Sequence, residues 1–359
     1  MKLKIIVAAV IVSALLGIAA FAAVTSYAVV TTAKPVKVVA PPPNPLAHVT
    51  RVPDRPPGLA RAQQIPVLVY HEMDNDCAPT APVCKSHDYE SVSLDQFTAE
   101  MAWMYGTGYH TVTIQQYLKW VADPGTLLPS KPFLITVDNG IGDFLEGAQP
   151  VLYHYRYTAV PFLVTGFADG ASGHCTPRYN GFSIQPGCPS DNDHGWDLTW
   201  AQIGALSTAV YPSFGIEAGT SGHYVQDYNA NCWQYIACKM PGESTAAYTH
   251  RVLLEYDYGI DEMTEHLGAR FDAGAWVVPY SDLGYPCERS GCAPQNYTGP
   301  PGWLISFAAA NFRAVFVQDA YRNGVSHERF RYEIHDSDTL KDFETAIRGY
   351  LAAGAWKES

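Results

Sequence analysis

The chain has 359 residues, enough for one large α/β domain or two small ones, and because 47% of them are hydrophobic and only 16% are charged, most of the chain can fold around a core. Its formal net charge of −12 disfavours nucleic acid and anionic surfaces as partners, and leaves neutral and cationic ligands open. Aromatic residues make up 13% of the chain, which suits both sugar binding and a large core.

The chain begins with a basic region and a long apolar run. Lys2 and Lys4 precede an apolar stretch over residues 5–24, which continues less purely to residue 30. This pattern predicts an export segment over residues 1–30, either a cleaved signal peptide or an uncleaved signal anchor. Because the two lysines stay inside, we expect the rest of the chain outside the cytoplasm, secreted or anchored to a membrane.

A proline-rich stretch follows the export segment. It contains Pro41-Pro42-Pro43 and Pro56-Pro57, and it predicts an extended linker over residues 31–62. The remaining residues, 63–359, are predicted to form one domain.

Strand and helix patterns alternate along this domain. We predict strands at residues 65–70, 111–113, 133–138, 159–165, 214–218, 275–280, 314–317 and 330–334. We predict helices at residues 94–106, 114–121, 148–155, 198–206, 245–267, 304–311 and 339–351. Ser93 and Gln96 have the spacing of a capping box at the first helix, and residues 166–193 are predicted to be a polar loop. Strands that alternate with helices at this density favour a closed parallel (β/α) barrel.

The eight cysteines support export. They form four close pairs in glycine-, proline- or asparagine-rich sequence: Cys77 with Cys84, Cys175 with Cys188, Cys232 with Cys238, and Cys287 with Cys292. Because short loops close at low entropic cost, we expect four local disulfides, which an oxidising compartment permits. The alternative is a zinc site, but no pair has the Cys-x-x-Cys spacing that structural zinc prefers.

The strand at residues 133–138 ends in polar groups. Asp138 and Asn139 follow its apolar part, and Gly140 comes next. The carboxyl ends of strands are where α/β folds collect their chemistry. The same three residues also favour a plain turn with no function.

Several segments, taken in order, resemble the polysaccharide deacetylases of carbohydrate esterase family 4, in the branch of the poly-N-acetylglucosamine deacetylases. Leu134–Gly140 stands where the family has Thr-Phe-Asp-Asp-Gly. Residues 65–71 are similar to its opening strand, and Val277–Tyr280 is similar to its Tyr-Pro-Tyr-Gly segment. Residues 311–314 and 331–343 resemble its C-terminus. The resemblance implies a distorted (β/α) barrel of the polysaccharide deacetylase type. It also implies a substrate cleft at His71, Pro279 and Tyr280.

The family's chemistry is the hydrolysis of acetyl groups on an N-acetylated polysaccharide or oligosaccharide at the cell surface. An aspartate and two histidines hold a divalent metal such as zinc, and a second aspartate is the general base. The resemblance implies that Asp138 is the base, that Asn139 stands at the metal-binding aspartate, and that His223 is the second histidine. The first histidine would fall at Gly219 or Ala218, which offer no side-chain ligand.

Two of the three ligand positions therefore depart from the family's pattern, and two functions stay open. The first is a deacetylase in which nearby groups replace the missing ligands. The second is a catalytically inactive glycan-binding protein on the same fold, with no cofactor. The candidate replacement ligands are His71, Asp143, His174, His194 and His335. His335 is also similar to the histidine of the family's Leu-x-His-Asp acid motif.

Peptide mapping of the purified protein under non-reducing conditions tests the cysteine pairing. We expect four cross-linked peptides, one for each nearest-neighbour pair, because local loops close most easily. A bridge between distant cysteines would contradict this part of the prediction.

Overall fold

A computed structural model describes residues 46–73, 91–140, 142, 144–172, 176–179, 184–187, 197–219, 244–279, 303–318, 328–335 and 337–352. All of these residues belong to one compact unit, Pro45–Ser359. No helix in these stretches combines the length and the apolar character needed to cross a bilayer.

The described residues contain fourteen strands. They are β1 Leu59–Arg61, β2 Val67–Tyr70, β3 Glu72–Met73, β4 Ser91–Val92, β5 His110–Thr111, β6 Leu127–Pro129, β7 Pro132–Val137, β8 Val160–Val164, β9 Thr176–Tyr179, β10 Ile184–Gly187, β11 Phe214–Ala218, β12 Phe271–Val277, β13 Ala314–Gln318 and β14 Glu328–Glu333.

Eight α-helices lie in the same residues. They are α1 Leu94–Gly106, α2 Ile114–Ala122, α3 Gln149–Tyr155, α4 Thr165–Ala171, α5 Trp200–Ala205, α6 Thr245–Leu267, α7 Trp303–Asn311 and α8 Leu340–Ala352. A π-helix at Phe144–Ala148 precedes α3, and a 3₁₀ turn at Gly268–Arg270 follows α6.

Seven strands close a parallel barrel. Their order is β2, β14, β13, β12, β11, β8 and β7, and β7 pairs with β2 to complete the ring. Every neighbouring pair is parallel, and β5 adds to β7 outside the ring. The predicted (β/α) barrel is therefore confirmed.

The barrel interior is apolar where the strands begin. Side chains alternate between the two faces of a strand, so every second residue contributes to the interior. Val67, Leu134, Phe162, Val277 and Phe316, from five different strands, belong to one fully buried cluster. Two further clusters pack the helices against the outside of the barrel. This layer fixes the ring and leaves the other end of the strands for polar groups.

Helix caps follow the sequence in part. The Thr199 side chain and Gln202 form a full capping box at α5. Ser93 also caps α1 by accepting a hydrogen bond from the Gln96 N–H. The Gln96 side chain, however, donates to Glu100 and to the carbonyl oxygen of His335, so the capping box predicted there is only half present.

The prediction of a polar loop over residues 166–193 is wrong, both at its start and at the two strands that the structure describes farther on. Its first residues belong to α4, and β9 pairs with β10 as an antiparallel hairpin farther on. The α4 sequence is short and rich in glycine and alanine, so it carries no clear periodic pattern. Burial of Phe167 and Ala168 against the barrel accompanies the helix instead.

The end of the predicted linker contacts the barrel. We name residues 50–61 the strap, because they run along the end where the barrel strands begin. The Val52 N–H donates to the His154 carbonyl at 2.9 Å, and the Ser130 N–H donates to the Gly58 carbonyl at 2.8 Å. At its end, β1 pairs antiparallel with β6. The packed part of the chain therefore begins before residue 63, the predicted start of the domain.

Gly215 is a tight point of the barrel interior. A Cβ atom there would lie 2.1 Å from the Phe162 ring, and that ring packs against Phe316. We expect Gly215→Ala to destabilise the protein by about 1–3 kcal/mol through overpacking. Urea unfolding measures this change.

Gly204→Ala is the matched control. Among the described residues outside the backbone of α5 and the two chain neighbours, no atom lies within 4 Å of a Cβ at Gly204, which is in the exposed part of α5. Alanine is the better helix former, so this variant should be unchanged or more stable by up to about 1 kcal/mol. Equal unfolding midpoints for the two variants would contradict the interior packing described here.

Candidate functional site at the barrel mouth

Polar side chains gather where the barrel strands end, and we name this end the barrel mouth. His71 follows β2, Asp138 follows β7, Glu217 lies near the end of β11, and Arg331 and Glu333 lie on β14. Parallel strands bring their carboxyl ends to one face, which explains why residues so far apart in sequence meet here.

Asp138 is the most enclosed acid of the mouth. Its side chain is 1% exposed, and its Oδ1 accepts a hydrogen bond from Arg331 Nη1 at 2.6 Å. The same nitrogen donates to Thr136 Oγ1 at 3.2 Å. The other carboxylate oxygen, Oδ2, lies 3.8 Å from His71 Nε2. A short charge-assisted bond of this kind fixes both side chains and stabilises the carboxylate.

The mouth continues from His71 as a row of acids and imidazoles. His71 Nδ1 lies 3.9 Å from Glu333 Oε1, and Glu333 Oε2 lies 3.9 Å from His335 Nε2. These separations exceed direct hydrogen-bond length but leave room for a bridging hydroxyl or water. The row offers donors and acceptors that a sugar can use, and it includes the group types that serve as general acids and bases.

Asn139 stands in a constrained turn. Its φ angle is 73°, a left-handed conformation that asparagine tolerates better than most residues. Its backbone N–H donates to Glu217 Oε2 at 3.0 Å, while its buried side-chain Oδ1 has no hydrogen-bond partner among the residues that the structure describes. Trp276 Nε1 in turn donates to the Glu217 carbonyl at 2.9 Å. The turn therefore holds one amide oxygen in place with its hydrogen-bonding capacity unused.

Gly219, which follows β11, has no space for a side chain. A Cβ atom there would lie 2.1 Å from the backbone oxygen of Glu255 on α6. Ala218, the other candidate for the missing histidine, is 1% exposed and is the last residue of β11. The helix backbone thus occupies the place that a ligand from Gly219 would need.

The residues present do not fit the three-ligand metal site that the resemblance implies. Asn139 offers a neutral oxygen in place of a charged one, and Gly219 can hold no side chain. In the part of the chain that the structure describes, no three His, Cys, Asp or Glu side chains are grouped as a metal site requires. A different set of ligands is needed for a metal to bind here.

Other predicted site residues are only partly covered by the structure. It places Pro279, buried, two residues beyond the end of β12, and His335 two residues beyond the end of β14, both at the mouth. The remaining predicted site residues lie outside the described ranges: His223, Tyr280, Asp143, His174 and His194.

The cysteines also lie outside the described ranges. This holds for every member of the four predicted pairs, and their pairing as local disulfides therefore stays a prediction. They are Cys77, Cys84, Cys175, Cys188, Cys232, Cys238, Cys287 and Cys292.

Arg331, Glu333 and Glu217 were not predicted as site residues from the sequence. β14 gave no signal for Arg331 or Glu333, because four of its six residues are charged. Glu217 did carry a usable signal, because it is the one charged residue of the apolar strand β11. Charged side chains in such positions are rarely buried unless they have partners. The partners themselves could not be named, since they come from other strands.

A second buried pair lies beside the mouth. The Tyr70 hydroxyl donates to Glu100 Oε2 at 2.7 Å, and Gln96 Nε2 donates to Glu100 Oε1 at 3.1 Å. Burial raises the pKa of Glu100 to about 7, against the hydrogen bonds from Tyr70 and Gln96, which lower it. Gln96 also donates to the His335 carbonyl at 3.1 Å, so this pair connects α1 to the mouth.

The protein is a closed parallel (β/α) barrel with polar side chains at the carboxyl ends of its strands. Neither a protein-family model nor a curated protein sequence matches the chain. Solved structures do match its fold.

The first is the Streptococcus pyogenes deacetylase PplD in complex with acetate, with a TM-score of 0.52, 16% identity, and coverage of 81% of this chain and 99% of that chain. The second is the de-N-acetylase from Aggregatibacter actinomycetemcomitans, with a TM-score of 0.56, 18% identity, and coverage of 78% and 98%. The resemblance to the polysaccharide deacetylases is thus confirmed at the level of the fold.

The raised pKa of Glu100 predicts a pH dependence of stability. The folded protein keeps a proton on Glu100 up to about pH 7, whereas the ordinary pKa of this group is 4.5. Stability from this group is therefore complete below about pH 4.5 and is lost as the pH rises through 7, by roughly 3 kcal/mol at most. Urea unfolding at pH 5 and pH 8 measures the loss.

Glu100→Gln should remove this part of the pH dependence, because glutamine does not titrate. Glu262→Gln is the comparison, since the pKa of Glu262 is also raised to about 7, by burial and by Asp169. Each variant should reduce the pH dependence of the free energy of unfolding by the amount that its own carboxyl contributes. An unchanged profile in Glu100→Gln would show that this carboxyl does not titrate in the window.

Proposed function

We propose that this protein binds an N-acetylated polysaccharide at the barrel mouth without cleaving it by the metal-dependent route of the deacetylases. One observation carries the proposal: the backbone of α6 fills the space at Gly219, where the resemblance expects a histidine ligand. Asn139 removes the negative charge of a second ligand. A deacetylase-type barrel with these changes keeps its cleft but loses two supports for a dication.

The mouth has the composition of a sugar-binding site. His71, Glu333 and His335 alternate imidazole and carboxylate groups, which can accept from and donate to sugar hydroxyls. The net charge of −12 favours a neutral polymer over an anionic one. An extracytoplasmic location, secreted or anchored through residues 1–30, belongs to the same proposal and rests on the export pattern.

A second candidate is a hydrolase that removes acetyl groups from such a glycan. The Asp138–Arg331 pair favours it, because a carboxylate held in one position beside His71 is what a general base requires. This candidate needs a divalent metal such as zinc on replacement ligands, and the described residues do not supply them.

Binding and acetate release distinguish the two candidates. Calorimetry of the full chain with N-acetylglucosamine oligomers should give the same affinity with and without chelator, and no acetate should appear after zinc is added. His335→Ala should weaken binding roughly tenfold through the loss of a hydrogen bond to the sugar.

Glu344→Gln, on α8, is the control and should bind like the original chain. Acetate release that chelator abolishes, and that Asp138→Asn also abolishes, would establish the hydrolase instead. No binding to any acetylated oligomer would overturn both candidates.

A further inference from the structure

The barrel end opposite the mouth carries exposed leucines. Leu59 on β1 is 69% exposed and Leu127 on β6 is 57% exposed. In the described part of the chain, only Leu340, at 37%, joins them as an exposed large hydrophobic residue. We name β1 and β6 together the ribbon.

The register of the ribbon places both leucines on one side. Ala60 pairs with Leu128, which is buried and faces the protein. Because side chains alternate along a strand, the residues on either side of this pair face outward. The outward side therefore carries Leu59 opposite Pro129 and Arg61 opposite Leu127.

Contacts on both sides of the ribbon hold it in place. Arg55 Nη1 donates to the Tyr105 carbonyl at 3.1 Å, and its guanidinium lies 4.2 Å from the centre of the Tyr105 ring. Arg51 makes the same pair of contacts with Tyr153. Beyond the ribbon, Trp120 Nε1 donates to the Ala62 carbonyl at 3.1 Å. These contacts therefore fix the position of the ribbon, which carries both leucines, on the surface of the domain.

Exposed cations are concentrated around this surface. Arg55 and Arg61 lie on the strap, Lys119 lies near the end of α2, and Lys131 directly precedes β7. The exposed acids on the same segments are Asp54 and Asp123. This local excess of positive charge contrasts with the net charge of −12 for the chain.

We propose that this basic and apolar face rests on an anionic phospholipid bilayer. Leucines beside arginine and lysine are the composition of proteins that lie in the membrane interface, where cations meet the phosphate groups and apolar side chains enter the acyl boundary. The proposal is independent of what the mouth binds.

The N-terminal part of the sequence also supports a bilayer as the partner of this face. The strap brings the chain into the domain at this face, and the apolar stretch over residues 5–24 precedes it in sequence. A proline-rich linker reaches roughly 3 Å per residue, so an anchor and this face can engage one bilayer. In this proposal the anchor supplies the affinity for the anionic bilayer, which the net negative charge of the chain repels. The basic and apolar face sets the orientation of the domain on that bilayer. The mouth then opens away from the lipid.

Lipid photocrosslinking of the full chain tests the proposal. Vesicles contain a photoactivatable phosphatidylglycerol, and cross-linked peptides are mapped by mass spectrometry. We expect cross-links at residues 55–63 and 123–131 as well as in the N-terminal stretch. Leu59→Asp with Leu127→Asp should lower the ribbon cross-links about tenfold and leave those of the N-terminal stretch unchanged.

Leu340→Asp is the matched control, because it removes an exposed leucine at the start of α8, away from the ribbon; it should change neither yield. A photoactivatable phosphatidylcholine should label the ribbon less than phosphatidylglycerol does. The proposal is overturned if the ribbon is not labelled or if the double variant is labelled like the original chain.

Discussion

The ion pair between Asp138 and Arg331 is the interaction on which the mouth depends. It joins β7 to β14 across β2, the strand that both of them flank in the closed ring. Burying two charges is unfavourable by several kcal/mol each, and only close pairing with further hydrogen bonds offsets that penalty. The 2.6 Å bond and the contact with Thr136 meet part of this requirement, while Nε and Nη2 of Arg331 are buried with no hydrogen-bond partner among the described residues. The strands that this ion pair joins at the mouth also carry the apolar cluster of the barrel interior. Both layers therefore depend on the closure of the same ring.

Local pattern was enough to predict most of the barrel. β11 and α6 have the predicted bounds, because a short buried strand and a long helix capped by Ser244 carry strong signals. The strap and β6 carried no such signal, since each is stabilised by a partner distant in sequence. The same limit applies to the site. His71 and Asp138 are marked by strand ends, but Arg331 lies 193 residues from the carboxylate it holds, and only closure of the barrel brings them together.

The fold of a deacetylase and the altered residues of this mouth are compatible because they depend on different contacts. The ring is held by its strand pairs and by the apolar cluster around Phe162, none of which involves a metal ligand. Asn139 and Gly219 therefore decide what the mouth can do without being part of the contacts that hold the ring. Function on such a barrel is decided by the site and not by the fold.

The close contact between Gly219 and α6 also limits how this site can change. A histidine at this position requires the helix backbone to move, and the helix is fixed by the burial of Tyr248, Val252 and Tyr256. A histidine alone would clash with the helix backbone, and a shift of the helix alone would disturb this packing, so the two changes are coupled. New chemistry at the mouth is therefore easier to reach through other residues than through position 219.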